Sequence, residues 1–553
     1  MRILCMVLML AMAPGGYAQL IGSRGIVNTA SYVAPGIPAG SIARGSMFAI
    51  FGAGLGPASS PPLTSFPLST TLGGVSITVT QGATTVNAIP LYVSPGQINA
   101  IMPSNAPLGK VSVSVTFNNV KGPPSPATVV NASFGAYAVN QAGFGPSLVY
   151  NFIPGTAPPL NLPNVAATPN QYAVLYGTGL GPVTFPDNVA PTMGNLPTQT
   201  EVFVGGQPAT IGYSGRSPCC AGLDQINFQV PQNAPLGCWV PVQVRTEGVT
   251  VSNTTTMAIS ADGSPCKESG HALAAPYLAG KKLGVIAALR TPVTEDVGLP
   301  AAATVTTDSI MITFQQESTS PFPPFNSHFS LPPAGTCTAY TPQGDMFDGD
   351  SFPLSGTTGK FLDAGSSLTV TGGAGNRTVK RATGNVRNFQ PLGYTYDGSL
   401  VPSSLFLSPG SFSLAGAGGA DVGAIAANFA FPTPLTWSNR DQTSPITRSH
   451  GFTVNWGGTP AGQTVIIFGG GVDLPSNATG EFVCVAPAGS ASFTVPPTAL
   501  ANVPATRNNL LQSKGVVYVG ALPLASPTAF SATGLDTGAI YAGAFIGKTV
   551  IFQ

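Results

Sequence analysis

The chain has 553 residues, a formal net charge of +1 and only 7% charged side chains, against roughly 25% in an ordinary soluble protein. Gly and Pro number 68 and 54, yet 43% of residues are hydrophobic, so there is apolar surface for cores and too little charge for the wet faces of long helices. No basic block is present, which excludes nucleic acid and anionic membrane as partners read from charge and leaves short strands joined by Gly/Pro turns as the expected architecture.

At the N-terminus, Arg2 precedes an apolar stretch over residues 3–13, too short to span a bilayer. Pro14-Gly15-Gly16 breaks it, and Gly16-Tyr17-Ala18 is a small-x-small cleavage site. Residues 1–18 are therefore predicted to be a signal peptide, with the mature chain starting at Gln19. Cys5 lies inside the apolar stretch, away from the cleavage point, which argues against a lipid anchor. No later run reaches about 18 consecutive apolar residues, so no transmembrane span is expected after cleavage. The protein is expected to be secreted or held at the cell surface.

An internal repeat follows. Phe48-Ala49-Ile50-Phe51-Gly52-Ala53-Gly54-Leu55-Gly56-Pro57 recurs 125 residues later as Ala173-Val174-Leu175-Tyr176-Gly177-Thr178-Gly179-Leu180-Gly181-Pro182. Gln97-Ile98-Asn99 recurs as Gln225-Ile226-Asn227, and Asn105-Ala106-Pro107-Leu108-Gly109 as Asn233-Ala234-Pro235-Leu236-Gly237, both 128 residues on. One domain of about 120 residues is duplicated. Within it Val75, Ile77 and Val79 alternate with Ser76 and Thr78, and Val111, Val113, Val115 and Phe117 alternate with polar residues, the period of half-buried strands. In the second copy the latter strand continues as Val240, Val242 and Val244, at an offset of 129. A one-residue slip would turn the core face outward, so a bulge or loop insertion after Gly237 is expected. The glycine-rich segments run straight into Pro57 and Pro182 and are read as turns with positive φ rather than dinucleotide-binding loops. The fold class expected is all-β: tandem immunoglobulin-like sandwiches followed by further sandwich-like units.

A strand running into Gly-x-Gly-Leu-Gly resembles the opening of IPT/TIG immunoglobulin-like domains. The fuller pattern, Val27-Asn28-Thr29-Ala30-Ser31, Gly40-Ser41-Ile42, the glycine turn and Tyr92-Val93-Ser94-Pro95-Gly96-Gln97-Ile98-Asn99, is similar to the Solibacter-type uncharacterised domain of acidobacterial secreted proteins. The resemblance covers residues 25–266. It implies export and a β-sandwich, and it brings no catalytic residues.

Beyond residue 270 strand-like runs occur at 310–314, 367–370, 452–456, 465–468 and 516–519, with Pro432-Thr433-Pro434 as a boundary. Residues 420–429 read equally as a short helix or a buried strand. The expected division is a signal peptide at 1–18, immunoglobulin-like repeats at 19–136 and 137–268, a β-rich unit at 269–431 and a sandwich-like unit at 432–553.

Six cysteines remain after cleavage: Cys219, Cys220, Cys238, Cys266, Cys337 and Cys484. An even count in an exported chain favours structural disulfides. Cys219 and Cys220 lie in an insertion, Ser217-Pro218-Cys219-Cys220-Ala221-Gly222, absent from the first copy. Adjacent cysteines close only a small ring, so each is expected to bond to one of Cys238 and Cys266, in either order. A zinc site of all four thiolates is the alternative, without the usual Cys-x2-Cys spacing. Strand parity puts Cys238 on the face of Val240, Val242 and Val244, pointing into the sandwich. Cys337 and Cys484 are expected to tie the third unit to the fourth.

Catalytic signals are sparse. Ala542-Gly543-Ala544-Phe545-Ile546-Gly547-Lys548-Thr549 fits a relaxed phosphate-loop pattern, but no helix is expected to follow it. Asp345, Asp348 and Asp350 sit on a glycine-containing loop whose carboxylates could hold calcium, but the EF-hand spacing and its closing Glu are absent, so a solvated acidic loop is expected. His271, His328 and His450 are scattered, and there is no Gly-x-Ser-x-Gly elbow. Trp239, Trp437 and Trp456 are read as core rather than as sugar-stacking surfaces. The expected function is a non-catalytic surface protein for adhesion, matrix or ligand binding. The expected partner is an extracellular ligand, for example a glycan or a surface protein, whose identity the sequence does not give, and no cofactor or metal is expected. The alternative is a secreted carbohydrate-active hydrolase with accessory repeats, needing paired carboxylates such as Asp348 or Asp350 facing Glu295 or Glu317. An outer-membrane barrel is disfavoured by the frequent prolines.

Overall fold

The computed structural model describes residues 19–63, 65–295, 302–320, 322–327, 329–341, 359–381, 394–396, 405–476, 478–507 and 513–553. The segment expected to be a signal peptide lies outside them. Period-two alternation builds the first repeat. Val75, Ile77 and Val79, with Val111, Val113 and Val115, are buried from one layer, and Ile50, Ile98 and Ala100 meet them from the other. Each fully buried Val or Ile contributes roughly 1.5–3 kcal/mol. The strand order is Leu20–Asn28, Met47–Ala53, Gln97–Ile101, Thr84–Val93, Val75–Gln81, Gly109–Phe117, Ser125–Val130 and Ile42–Ala43. Thr84–Val93 serves both layers: residues 84–88 pair with Val75–Gln81, and residues 89–93 pair with Gln97–Ile101, with a bulge between Pro90 and Tyr92 that bends the strand between them.

The second repeat repeats this order strand for strand: Gly135–Ala136, Tyr172–Thr178, Asp224–Gln229, Gln207–Arg216, Thr200–Val204, Gly237–Thr246, Thr255–Ile259 and Gly145–Pro146. Gln207–Arg216 makes the same crossing, with a bulge between Ile211 and Tyr213. The offset of 129 is resolved by the expected bulge: Gly237 pairs with Ile259 and Val240 with Met257, so the longer strand carries one extra residue. Val240, Val242 and Val244 thereby stay in the core. The glycine turns have the expected positive φ, +66° at Gly54, +119° at Gly179 and +121° at Gly181.

Past residue 270 the five strand-like runs lie in Ala303–Gln316, Ser367–Gly372, Phe452–Gly457, Thr464–Asp473 and Ser513–Leu522. Residues 425–431 are strand, Ile425–Phe431. The expected division at 431/432 needs correction. Thr537–Thr549 pairs in parallel with Lys282–Glu295 and antiparallel with Ser513–Leu522, so both expected units share one 14-stranded sheet. Two cores sit on it. Ile540 joins Ile286, Ile312, Leu368 and Phe412 in one; Val550 and Phe552 join Trp437, Trp456, Ile467 and Phe482 in the other. The last strand is needed to complete the first of these cores, so the units are interleaved rather than sequential. A third cluster, including Phe144, Trp239, Tyr340, Tyr541 and Phe545, packs this sheet against the second repeat.

Glu481 of Ala478–Val485 is buried at that junction, opposite Tyr340, with Oε1 accepting no hydrogen bond. Burial pushes its carboxyl from an ordinary 4.5 up to about 8. The raised folded-state value means its contribution to stability is complete below about pH 4.5 and is lost as pH rises towards 8. Glu481→Gln is expected to match the parent in urea at pH 4.5 and to be more stable by about 2–3 kcal/mol at pH 7. A constant difference between the two proteins across that range would refute the assignment.

Candidate binding face and the joint between the repeats

Strand parity defines a face in each repeat. In the second repeat Ile226 and Phe228 enter the core, so Gln225, Asn227 and Gln229 project outward. Ala173 and Leu175 likewise send Tyr172, Val174 and Tyr176 outward, and Val149 sends Tyr150. The bulge at Gly212 brings Tyr213 opposite Asn227, onto the same face. Tyr150 meets Tyr176 edge-on, with ring centroids 5.8 Å apart; burial and this neighbour hold the Tyr176 hydroxyl above its ordinary pKa. Gln225 Nε2 donates to Asn227 Oδ1 at 2.9 Å.

The first repeat carries the counterpart of each part. Gln97 Nε2 donates to Asn99 Oδ1 at 2.9 Å. Phe51, paired with Gln97, has Tyr32 against it at 6.2 Å. Tyr92 lies opposite Asn99 beyond the equivalent bulge. The Gln-Ile-Asn recurrence was visible in the sequence as a marker of duplication. Its outward polar residues could have been read as a surface signal, but the ring partners come from other strands and carry no local mark.

Between the repeats lies a buried polar joint. Asp224 is fully buried, ion-paired with Arg216, and accepts the N–H groups of Gly179 and Leu180 at 2.7 Å each. Burial raises the Asp224 carboxyl, against the pull of Arg216 and these two donors. Arg216 also donates to Gly45 O at 2.6 Å in the first repeat and to Gly181 O at 2.8 Å. Thr178 Oγ1 accepts from Met47 N at 2.8 Å, and Asn28 Nδ2 donates to Thr178 O at 3.0 Å. Ala221 packs beside Leu68, Ile89 and Ile101, and a Cβ on Gly222 would lie 2.8 Å from Met47.

That placement overturns the expected cysteine pairing. Cys219 bonds to Cys220, and Cys238 bonds to Cys266. Two physical features set the observed pairing. The insertion packs on the first repeat rather than folding over its own strand. The bulge between Gly237 and Val240 also breaks strand parity, so Cys238 and Trp239 join the cluster facing the 14-stranded sheet instead of the sandwich core. With all four sulfurs in disulfides, the zinc alternative falls as well. Cys266 still staples the exit from the repeat, and Glu268 accepts the Cys238 N–H; burial raises this carboxyl to about 7. Cys337 bonds to Cys484 directly across paired strands, the expected pairing. Both Cys219 and Cys220 are exposed, whereas Cys238 and Cys484 are buried. Exposed disulfides exchange first. Brief mild reduction followed by alkylation and peptide mapping is expected to label Cys219 and Cys220 at least tenfold faster than the other four. Equal labelling would count against this order.

The remaining candidates do not converge. Trp239, Trp437 and Trp456 are buried in cores. The phosphate-loop-like stretch is part of the Thr537–Thr549 strand, where Lys548 Nζ donates to Asp441 O at 2.9 Å. His271 is buried and pushed down to about 4 by desolvation, while His450 is exposed. His328, Asp345, Asp348 and Asp350 lie outside the described residues, so the acidic loop and the carboxylate pairs proposed with Glu295 and Glu317 are not placed. Glu317 itself is buried and its carboxyl raised by that burial. Among the described residues no three His, Cys, Asp or Glu side chains gather as metal ligands, and no helix is long and apolar enough to cross a membrane.

No family model and no curated protein matches the chain. Among solved structures, the plexin A4 extracellular region is similar over 42% of this chain and 17% of its own, at 14% identity and a TM-score of 0.14. The tetra-tandem repeat in the extending region of a large adhesion protein is similar over 94% of this chain and 98% of its own, at 11% identity and a TM-score of 0.12. Domains 5–6 of the S-layer protein SbsC are similar over 44% and 98%, at 11% identity and a TM-score of 0.15. This chain thus spans about a sixth of the plexin chain. Likeness at this level carries no argument about function, and the all-β assignment rests on the sheets themselves.

Proposed function

We propose that the chain is an exported, non-catalytic binding protein whose contact surface is the outward sheet face of its immunoglobulin-like repeats. The observation that carries this reading is the duplication of that face. Two copies share a Gln–Asn hydrogen bond, an aromatic pair and a bulge-borne tyrosine, although none of these groups is needed to fill the two sandwich cores. The buried joint supports it, because a fixed relation between repeats lets two faces act without an ordering cost. Three disulfides support export, as does the resemblance to secreted acidobacterial domains.

The test is an array of glycans and matrix proteins probed with the chain from Gln19. Binding to at least one class is expected, and Tyr172→Ala with Tyr176→Ala should reduce it about tenfold or more without changing the melting temperature by more than a degree or two. Binding that survives these changes would place the contact elsewhere.

A further inference from the structure

We infer that the outward face of the second repeat takes a neutral, extended polysaccharide, an inference that rests on the binding reading above. Charge comes first. From residue 137 to residue 216 the chain has three charged side chains, Asp187, Glu201 and Arg216. Each is already engaged: Asp187 with Ser104, Glu201 with Arg245, and Arg216 with Asp224. The face offers no countercharge to a phosphate, a carboxylated polymer or a basic peptide. Protein interfaces are enriched in Arg as well as aromatics, and this face has the rings without a free cation.

Its chemistry alternates. Gln225, Asn227 and Gln229 follow one another every second residue on one strand, at a spacing of about 6.6 Å. The Gln225 side-chain carbonyl and the Asn227 amide N–H groups take no part in that bond and have no protein partner among the described residues. Tyr172 and Tyr176 stand about 13 Å apart along the neighbouring strand, with Tyr150 paired to Val174 midway and Tyr213 on the far side of the amides. Tyr172 is 44% exposed, and Phe152 at the sheet edge 46%. A sugar ring is amphipathic in the matching sense: its C–H face packs on an aromatic ring and its hydroxyl edge exchanges hydrogen bonds with planar amides. Small ligands prefer concave sites. An open sheet face with rings spread over more than one sugar length suits a polymer.

The first repeat presents the related set Phe51, Tyr92, Gln97 and Asn99, but part of its face is covered. Met47, Ile89 and Ile101 lie beneath Ala221 and Gly222 of the second repeat. Their counterparts, Tyr172, Thr210 and Gln229, are left uncovered. The second repeat is therefore the primary platform and the first an auxiliary one that adds avidity.

The experiment is native affinity electrophoresis of the chain from Gln19. Each gel contains one neutral polymer (hydroxyethyl cellulose, galactomannan, starch or dextran), with polygalacturonate as the charged comparison. Retardation by at least one neutral polymer is expected, with none by polygalacturonate. Tyr172→Ala with Tyr176→Ala should weaken it about tenfold or more, Tyr172→Phe with Tyr176→Phe should retain it, and Tyr92→Ala should cost less. No retardation by any neutral polymer, equal retardation by polygalacturonate, or indifference to the tyrosine changes would overturn the inference. The same variants on matrix-protein spots separate the two failures. Protein binding lost on changing the tyrosines, without polymer retardation, rejects the sugar but keeps the face. Protein binding indifferent to them rejects the face itself.

Discussion

Asp224→Ala should cost the joint between the repeats about 3–5 kcal/mol, because it leaves the Arg216 guanidinium buried and unpaired. The carboxylate also receives the Gly179 and Leu180 N–H groups, so the glycine turn loses its anchor in the same step. The first repeat manages the equivalent turn without a charge: Leu55 N–H donates to Pro95 O at 3.0 Å. The second repeat has Asp224 where the first has Gly96, and the difference is what engages Arg216 and, through it, Gly45 of the neighbouring repeat. Amide hydrogen exchange at Gly179 and Leu180 is the direct readout. Protection should fall by about 10²–10⁴ in Asp224→Ala. Removing both charges, with Asp224→Asn and Arg216→Met, should recover much of it, since the worst state is one buried charge alone. Unchanged protection in the single variant would mean that the pair does not hold the joint.

The sandwich was legible because Val75, Ile77, Val79 and their counterparts obey a period of two, and because the repeat gave each strand twice. Even the bulge after Gly237 could be derived, from the conflict between a 128-residue and a 129-residue offset. The joint was not legible. Arg216 and Asp224 flank an insertion that reads locally as a disulfide loop, and nothing in the sequence says that Gly45 waits for the guanidinium. The cysteine pairing was hidden for a related reason: the bulge between Gly237 and Val240 contains Cys238, so the parity of Val240, Val242 and Val244 does not extend to it. The shared sheet past residue 270 was hidden for another reason. Lys282–Glu295 and Thr537–Thr549 pair in parallel across most of the C-terminal half of the chain, and alternation within a strand carries no information about a partner that distant. On the candidate face, Gln225 and Asn227 were legible as a repeated motif, whereas Tyr150, Tyr176 and Tyr213 come together only once the strands are ordered.

Removing the Cys337–Cys484 bond is expected to destabilise the C-terminal body more than removing either of the other disulfides. The bond joins residues 147 apart, whereas Cys238–Cys266 joins residues 28 apart and Cys219–Cys220 joins neighbours. Chain-entropy arithmetic gives about 5 kcal/mol for the first and about 3.5 kcal/mol for the second; a bond between neighbours constrains no loop. The local setting reinforces the order. Thr336–Tyr340 lies at one end of the 14-stranded sheet and, among the described residues, is held along one side only, by Ala478–Val485. Between it and Ala478–Val485 the chain runs through Ser367–Gly372, Ile425–Phe431 and Thr464–Asp473, so without the bond the edge must be found by closing a long, open loop. Cys484 is fully buried in the core with Trp437, Trp456 and Phe482. Thermal unfolding of paired Cys→Ala variants checks the ranking: Cys337 with Cys484 should melt lowest, Cys238 with Cys266 next, and Cys219 with Cys220 within about a degree of the parent. If loss of Cys238 and Cys266 proves the costlier, packing around Trp239 and Tyr340 at the junction, rather than loop closure, governs the stability of this half of the molecule.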